Sequence, residues 1–272
     1  MKPTLTDELG SRFSEDGFVV LDLLDRTQAQ RLRTLVEGPS ADPALREKGI
    51  RRKEGGQSGN VLIAEWNYAG PDVFSRLACS DRLISIMEHL LGGSVYVWEF
   101  KLTGKDPVTG GVWRWHQDFG YWHYNGLLMP QLASAWFAID PATKDNGCLE
   151  LLKGSHHIGR LDTVHVGDAN TQRETHPQKL EQARERFELV TAELNAGQVL
   201  ILHCNVLHRS GPNRSPRPRW SFIPCYNRVD NPPCTDDCRH ALPNEITLVS
   251  HDEVFAGVLP GFAADTEFIR TE

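Results

Sequence analysis

The chain has 272 residues, 40% of them hydrophobic, with 29 Lys and Arg against 36 Asp and Glu, a formal net charge of −7. That length suits one large domain with a full core, and the acidic balance argues against an electrostatic nucleic-acid binder. No apolar run approaches the roughly 18 residues of a membrane helix, and residues 1–16 are polar with no apolar h-region, so neither a membrane partner nor a secretory signal is expected and the cytoplasm is the default.

Residues 6–16 read as a short amphipathic helix, and Gly17-Phe18-Val19-Val20-Leu21 as a strand entering the core. Thr27 is placed to cap a helix carrying Ala29, Leu32, Leu35 and Val36 on one stripe, with Gly38 ending it. Residues 39–60, rich in Gly, Ser and charge, read as a loop and a candidate lid. Glu65-Trp66-Asn67-Tyr68 offers either core packing or one wall of a pocket. From Pro71-Asp72 onward, Val73, Phe74, Leu77, Leu83, Ile84, Met87 and Leu91 recur at helical spacing until Gly92-Gly93, which predicts one helix.

After Gly93 the pattern is that of strands: Val95–Leu102, Trp113–Asp118, Leu132–Ile139, Cys148–Leu152, Leu189–Leu194, Gln198–His203 and Arg219–Tyr226. The aromatic stretch Phe119 to Tyr124 reads as a loop. Asn195-Ala196-Gly197 predicts a hairpin between its two flanking strands. Residues 160–187 read as a polar insertion over the barrel mouth, a second candidate lid, with a short helix near Gln178–Arg186. Helices followed by antiparallel strands predict a mainly β fold with flanking helices, whose core is a double-stranded β-helix, a jelly roll of cupin-like type. The expected organisation is one domain over 1–272: a helical part to about 92, the jelly roll from about 93 to 230, and a tail from 231.

Of the six cysteines, Cys148, Cys204 and Cys225 fall in apolar segments and read as buried thiols. Cys225, Cys234, Cys238 and His240 could hold zinc, but their spacing matches no common zinc module.

The chemistry concentrates in Trp115-His116-Gln117-Asp118 and in His208-Arg209-Ser210-Gly211, with Arg219 beyond. Side chains alternate along a strand, so His116 and Asp118 are expected to face the same way and Gln117 the other. Two imidazoles and one carboxylate on one face are the ligand set of non-haem Fe(II) oxygenases. His208, leading into the Ser210-Gly211 turn, is preferred as third ligand over His203, which ends an apolar run. On the same alternation Arg219, Ser221, Ile223, Cys225 and Asn227 point inward. A buried guanidinium needs an anion, and no acidic residue stands at those positions.

These motifs, with Asp145-Asn146-Gly147-Cys148-Leu149, Gly154-Ser155-His156 and Trp122, resemble those of the phytanoyl-CoA dioxygenase-like family of Fe(II)/2-oxoglutarate oxygenases, from Glu15-Asp16-Gly17-Phe18 to about Pro232. The resemblance implies that His116, Asp118 and His208 bind Fe(II). It implies that Arg219 and Ser210 hold the distal carboxylate of 2-oxoglutarate, that Trp136 lines that pocket, and that Lys101 and Lys105 lie near it. With O2 as co-reactant, the implied reaction is hydroxylation of a C–H bond of a small-molecule substrate, releasing succinate and CO2. Phe119, Tyr121, Trp122, His123, Tyr124 and Asn227 are the candidate substrate wall, against a reading of the aromatics as rim packing. Two other readings stand beside this one: a cupin-like isomerase or hydrolase that never uses 2-oxoglutarate, and a catalytically inactive binding domain.

Overall fold

The computed structural model describes residues 7–37, 50–54, 60–67, 69, 72–165, 172–234 and 246–256. Gly38, residues 39–49 and 55–59, Tyr68, Pro71, Cys238 and His240 lie outside them. Two sheets face each other. The larger has seven strands in the order β1-β11-β6-β13-β4-β3-β2, and the smaller has four, β10-β7-β12-β5. Their ranges are β1 Phe18–Asp22, β2 Ile50–Glu54, β3 Asn60–Trp66, β4 Val95–Lys105, β5 Trp113–His116, β6 Leu132–Ala138, β7 Leu149–Leu152, β10 Leu189–Ala192, β11 Gln198–His203, β12 His208–Ser210 and β13 Arg219–Arg228. A two-stranded ribbon, β8 Thr163–His165 with β9 Arg173–Thr175, forms a third sheet and packs beside β5. This is the expected double-sheet architecture, flanked by helices.

The outer face of the large sheet is covered by α1 Asp7–Asp16, α2 Arg26–Glu37, α3 Val73–Ala78 and α4 Asp81–Leu91, whose apolar stripes pack against it. Phe222 on β13 sits among the rings of Phe74, Phe100, Phe137 and Trp66, with centroids 5.0 to 6.3 Å away. Truncating such a buried Phe costs about 3–5 kcal/mol. β6 is buried at every position, one face against the helices and the other between the sheets. Burial on both faces is why its sequence reads as an unbroken apolar run and not an alternating one.

Several boundaries differ from the sequence expectation, each for a local reason. The α2 cap is Asp25, not Thr27: its Oδ1 accepts from Gln28 N while Gln28 Oε1 accepts from Asp25 N, a reciprocal capping box. The expected single helix from 72 to 91 is two. Asp72 caps the first through Ser75 N, and Ser80 is then extended, bridging to Val249 before α4 begins. Residues 50–54, expected as loop, form β2 and extend the large sheet through β3. The N-terminal part is therefore not purely helical. Strands β10 and β11 do not form the expected hairpin: β10 pairs with β7, and β11 pairs with β1 and β6 in the opposite sheet. The Asn195-Ala196-Gly197 turn is a corner that carries the chain from one sheet to the other. The insertion contains the expected helix, α6 Pro177–Arg186, together with the unexpected ribbon.

Candidate metal centre

β12 lies between β7 and β5 in the small sheet, and its register sets His208 directly opposite His116. The two ring centroids are 4.1 Å apart. Each imidazole places Nδ1 on the carbonyl two residues earlier, His116 on Arg114 at 2.7 Å and His208 on Val206 at 3.0 Å. A carbonyl only accepts, so Nδ1 carries the proton and Nε2 keeps the lone pair, the arrangement common to metal-binding histidines.

Asp118 reaches the same spot by a route the sequence did not suggest. β5 ends at His116, and Asp118 is in right-handed helical conformation (φ −56°, ψ −40°) just before α5, Phe119–Trp122. Strand alternation therefore does not align the two. The join between them is braced by Gln117, which does point away as expected. Its Nε2 donates to Gly159 O (2.8 Å) and Asn205 O (2.7 Å), and its Oε1 accepts from Leu161 N (2.7 Å). Two distant segments, 159–161 and that of Asn205, are thus pinned by one side chain between the two candidate ligands. No motif flagged Gln117 as a brace; only its position between them could have.

One ligand atom each from His116, Asp118 and His208 lies within 4.8 Å of the others, and all three residues are buried. Asp118 Oδ2 accepts from Ser134 Oγ at 2.8 Å, while Oδ1 is 3.7 Å from His116 Nε2 and 3.9 Å from Lys101 Nζ. Burial pushes the Asp118 carboxyl up, but the Lys101 ammonium and the two imidazoles outweigh it and hold it far below the usual carboxylate range. Burial, seconded by His116, lowers His208 to about 4 and keeps it neutral. An ionised carboxylate and a neutral imidazole are the protonation states a divalent ion requires. Trp113 Nε1 donates to His116 Nε2 at 3.1 Å, so an ion on that nitrogen must displace this hydrogen bond.

The three side chains open into a cavity of about 260 Å³ between the sheets. Arg219, at its other end, is 2% exposed, and its Nε and Nη1 have no hydrogen-bond partner among the described residues. The guanidinium lies 5.1 Å over Trp136. Burial lowers it to about 10, which leaves it charged. Its register partner Lys105 is buried too and gives its three donors to the carbonyls of Gly111, Ser210 and Gly211. Burial and the neighbouring Arg219 push that ammonium well below the usual lysine range. Ser210 and Trp136 line the same end. The Asn146-Gly147 turn backs it: Gly147 has φ +79°, and a Cβ there would lie 2.3 Å from Gly211 O.

Tyr121 and Trp122 also line the cavity; Lys101 lines it too, but beside Glu99 and Asp118 and not at the Arg219 end where it was expected. Phe119 does not line it: it packs into a cluster with Tyr96, Trp98, Leu127 and Leu132. Asn227 does not either. Its Nδ2 donates to Tyr96 Oη and Asn231 O, while its Oδ1 accepts from Asn231 Nδ2, a clamp beyond the cavity's end. His123 bonds Leu127 O, and Tyr124 is exposed at the rim. Of the Glu65-Trp66 pair, Glu65 faces the cavity and Trp66 stacks in the core, so both earlier readings apply, one to each residue. Glu99, Thr103, Asn125 and Ser134 are cavity residues the sequence reasoning missed. Alternation from Lys101 along β4 would have found Glu99 and Thr103. His203 faces away and packs on Phe13 and His156. Cys225 is buried and Cys234 is exposed, and both are free.

The profile of the phytanoyl-CoA dioxygenase family (PhyH) matches residues 13–221. The L-proline trans-4-hydroxylase of Streptomyces griseoviridis is 30% identical over 236 residues, covering 82% of this chain and 86% of that one. The ectoine dioxygenase of Stutzerimonas stutzeri is 29% identical over 234 residues, with 82% and 77% covered. The crystal structure of EctD from S. alaskensis with bound Fe superposes with a TM-score of 0.74 at 24% identity, covering 90% of this chain and 88% of that one, which shows the shared fold.

Proposed function

The chain belongs to the phytanoyl-CoA dioxygenase family, and from that premise we propose that it is an Fe(II)/2-oxoglutarate-dependent dioxygenase that hydroxylates a C–H bond of a small molecule. The observation that carries this is the buried His116, Asp118 and His208 triad opening into the same cavity as an unmatched guanidinium. Two imidazoles and a carboxylate fit Fe(II) and leave coordination positions open. Arg219 fits the far carboxylate of 2-oxoglutarate, since a planar fork takes a carboxylate bidentately and a buried charge without a partner is costly.

When bound, iron, 2-oxoglutarate and O2 supply the oxidising chemistry, with succinate and CO2 as co-products. The chain's own residues do the rest. The Arg114 and Val206 carbonyls fix the rotation of both imidazoles. Ser134 occupies one carboxylate oxygen of Asp118 and leaves the other toward the imidazoles. Arg219, Ser210 and Trp136 hold the cosubstrate's tail, and Lys105 adds positive charge beside it. Leu149, Leu202, Ile223, Val61 and Ile63 make the intervening wall apolar and exclude water. Tyr121 and Trp122 stand on the substrate side.

Among the described residues no helix is long and apolar enough to cross a membrane. The net charge of −7 disfavours an electrostatic nucleic-acid partner, and the proposal is of one oxygenase domain acting in the cytoplasm on a small metabolite. The test is spectroscopic. Fe(II) and 2-oxoglutarate added without oxygen give a weak visible charge-transfer band, and His208→Ala or Asp118→Ala abolishes it. A band unchanged in both variants overturns the ligand assignment.

A further inference from the structure

Trp113 opens β5 and lies opposite Ser210 of β12 in register. Its indole lines the cavity and meets the His116 ring edge-on, with centroids 6.0 Å apart. Its Nε1 donates to His116 Nε2 at 3.1 Å, and that same Nε2 lies 3.7 Å from Asp118 Oδ1. The indole edge therefore stands where the two candidate ligands converge. An ion there takes the Nε2 lone pair and breaks this hydrogen bond. Pairing of β5 with β12 still holds the Trp113 backbone, so the ring moves only by rotation about its own side-chain bonds.

The cavity's other aromatic residues are engaged elsewhere. Trp122 directs Nε1 to Glu99 Oε1 at 2.9 Å, and Lys101 covers its face. Trp136 lies against the Arg219 guanidinium. Tyr121 also meets the His116 ring, with centroids 5.7 Å apart. Its hydroxyl, however, accepts from Arg173 N (2.9 Å) and donates to Arg173 O (3.0 Å), which holds it on the ribbon. Among the described cavity aromatics, Trp113 is the one that hydrogen-bonds a ligand nitrogen.

We propose that Trp113 is a self-hydroxylation site: when O2 and 2-oxoglutarate are consumed with no substrate in the cavity, one oxygen atom enters an indole C–H bond. This rests on the Fe(II)/2-oxoglutarate reading of the same cavity. The balance is that of the hydroxylation itself, with the indole in the substrate's place. 2-Oxoglutarate loses CO2 and becomes succinate, which takes one atom of O2. The other atom is inserted into the C–H bond, whose hydrogen stays on the new hydroxyl. The cosubstrate and the C–H bond each give up two electrons, O2 accepts four, and no further reductant enters. An oxidising site has to exclude such side reactions. Here a bound substrate does so by shielding Trp113.

The experiment uses the full chain. The anaerobic Fe(II)/2-oxoglutarate band is recorded first. O2 is then admitted without added substrate, and the digested protein is mapped by mass spectrometry. A gain of one oxygen atom at Trp113 is expected, carrying the heavy isotope when heavy O2 is supplied. It is lost without 2-oxoglutarate and in His208→Ala. A second readout needs no turnover. The same ligand types take Co(II), and anaerobic Co(II) is expected to quench indole emission. The chain has seven tryptophans, yet the quench is expected to fall by more than half in Trp113→Phe alone. If that variant fails to fold, the oxygen map decides. Oxygen only at other residues, no gain while the band is intact, or an equal quench in Trp113→Phe overturns the proposal. A missing band in the unmodified protein overturns instead the cosubstrate reading beneath it.

Discussion

His208 and His203 lie on strands consecutive in the chain but in opposite sheets, and burial lowers both imidazoles to about 4. Both also sit beside other histidines, His208 with His116 and His203 with His156. Their surroundings otherwise differ. His208 faces a cavity and a buried carboxylate; His203 faces Phe13 and the helices, with its Nδ1 accepting from Asn205 N at 3.1 Å. Burying an imidazole neutral therefore does not make a metal site. An anionic ligand at coordination distance and open space in front of the lone pair do.

The sharpest way to break the comparison is to truncate each histidine in turn. His208→Ala is expected to lower succinate formation at least a thousandfold and to leave purified protein without stoichiometric Fe(II) by metal analysis. His203→Ala keeps metal and activity, and its effect is a loss of stability of about 2 kcal/mol in denaturant unfolding. Metal loss in the second variant would sink the distinction. Next in size is Arg219→Ala, which leaves both imidazoles in place. Loss of a charge-assisted carboxylate contact of about 3 kcal/mol raises the KM for 2-oxoglutarate about 100-fold. An unchanged KM would remove Arg219 from the site.

The third prediction concerns pH. His203 has a folded value of about 4, below the ordinary 6.5. As pH falls from 6.5 toward 4, the unfolded chain binds a proton there that the folded chain refuses. Its contribution to stability is complete above 6.5, declines through that window and is gone by 4, amounting to about 3 kcal/mol in all. Unfolding titrations of His203→Gln should lose that part of the slope; an identical slope would contradict the neutral, buried His203. The smallest effect expected is at Trp113. Its hydrogen bond to His116 Nε2 competes with any metal for the lone pair, and a neutral hydrogen bond is worth about 1 kcal/mol. Trp113→Phe should therefore tighten Fe(II) binding about fivefold in a competition titration, and weaker binding would show that Trp113 supports the ion.

The choice between the two histidines was legible in the chain. Ser210-Gly211 after His208 marked a turn near the site, and alternation along β11 sends Leu200 and Leu202 between the sheets and His203 to the helix side. The jelly roll was legible too, because strand spacing and turn residues report locally on antiparallel pairing. What could not be read depended on contacts distant in sequence. Asp118 meets His116 because Gln117 is tied to Gly159, Leu161 and Asn205. Nothing local to β10 and β11 tells a hairpin from a corner between sheets, since both need the same turn. Asn227 kept the alternation of β13, but the cavity ends before it, and where a cavity ends is set by packing across the sheets.

Gly147 touches none of the proposed ligands, yet it abuts the carbonyl of Gly211, which with Ser210 anchors the Lys105 ammonium. A methyl group there would displace the backbone that sets the electrostatic floor of the cavity. In an unbiased screen for inactive variants, substitutions at this glycine should therefore be recovered alongside those of the iron ligands themselves.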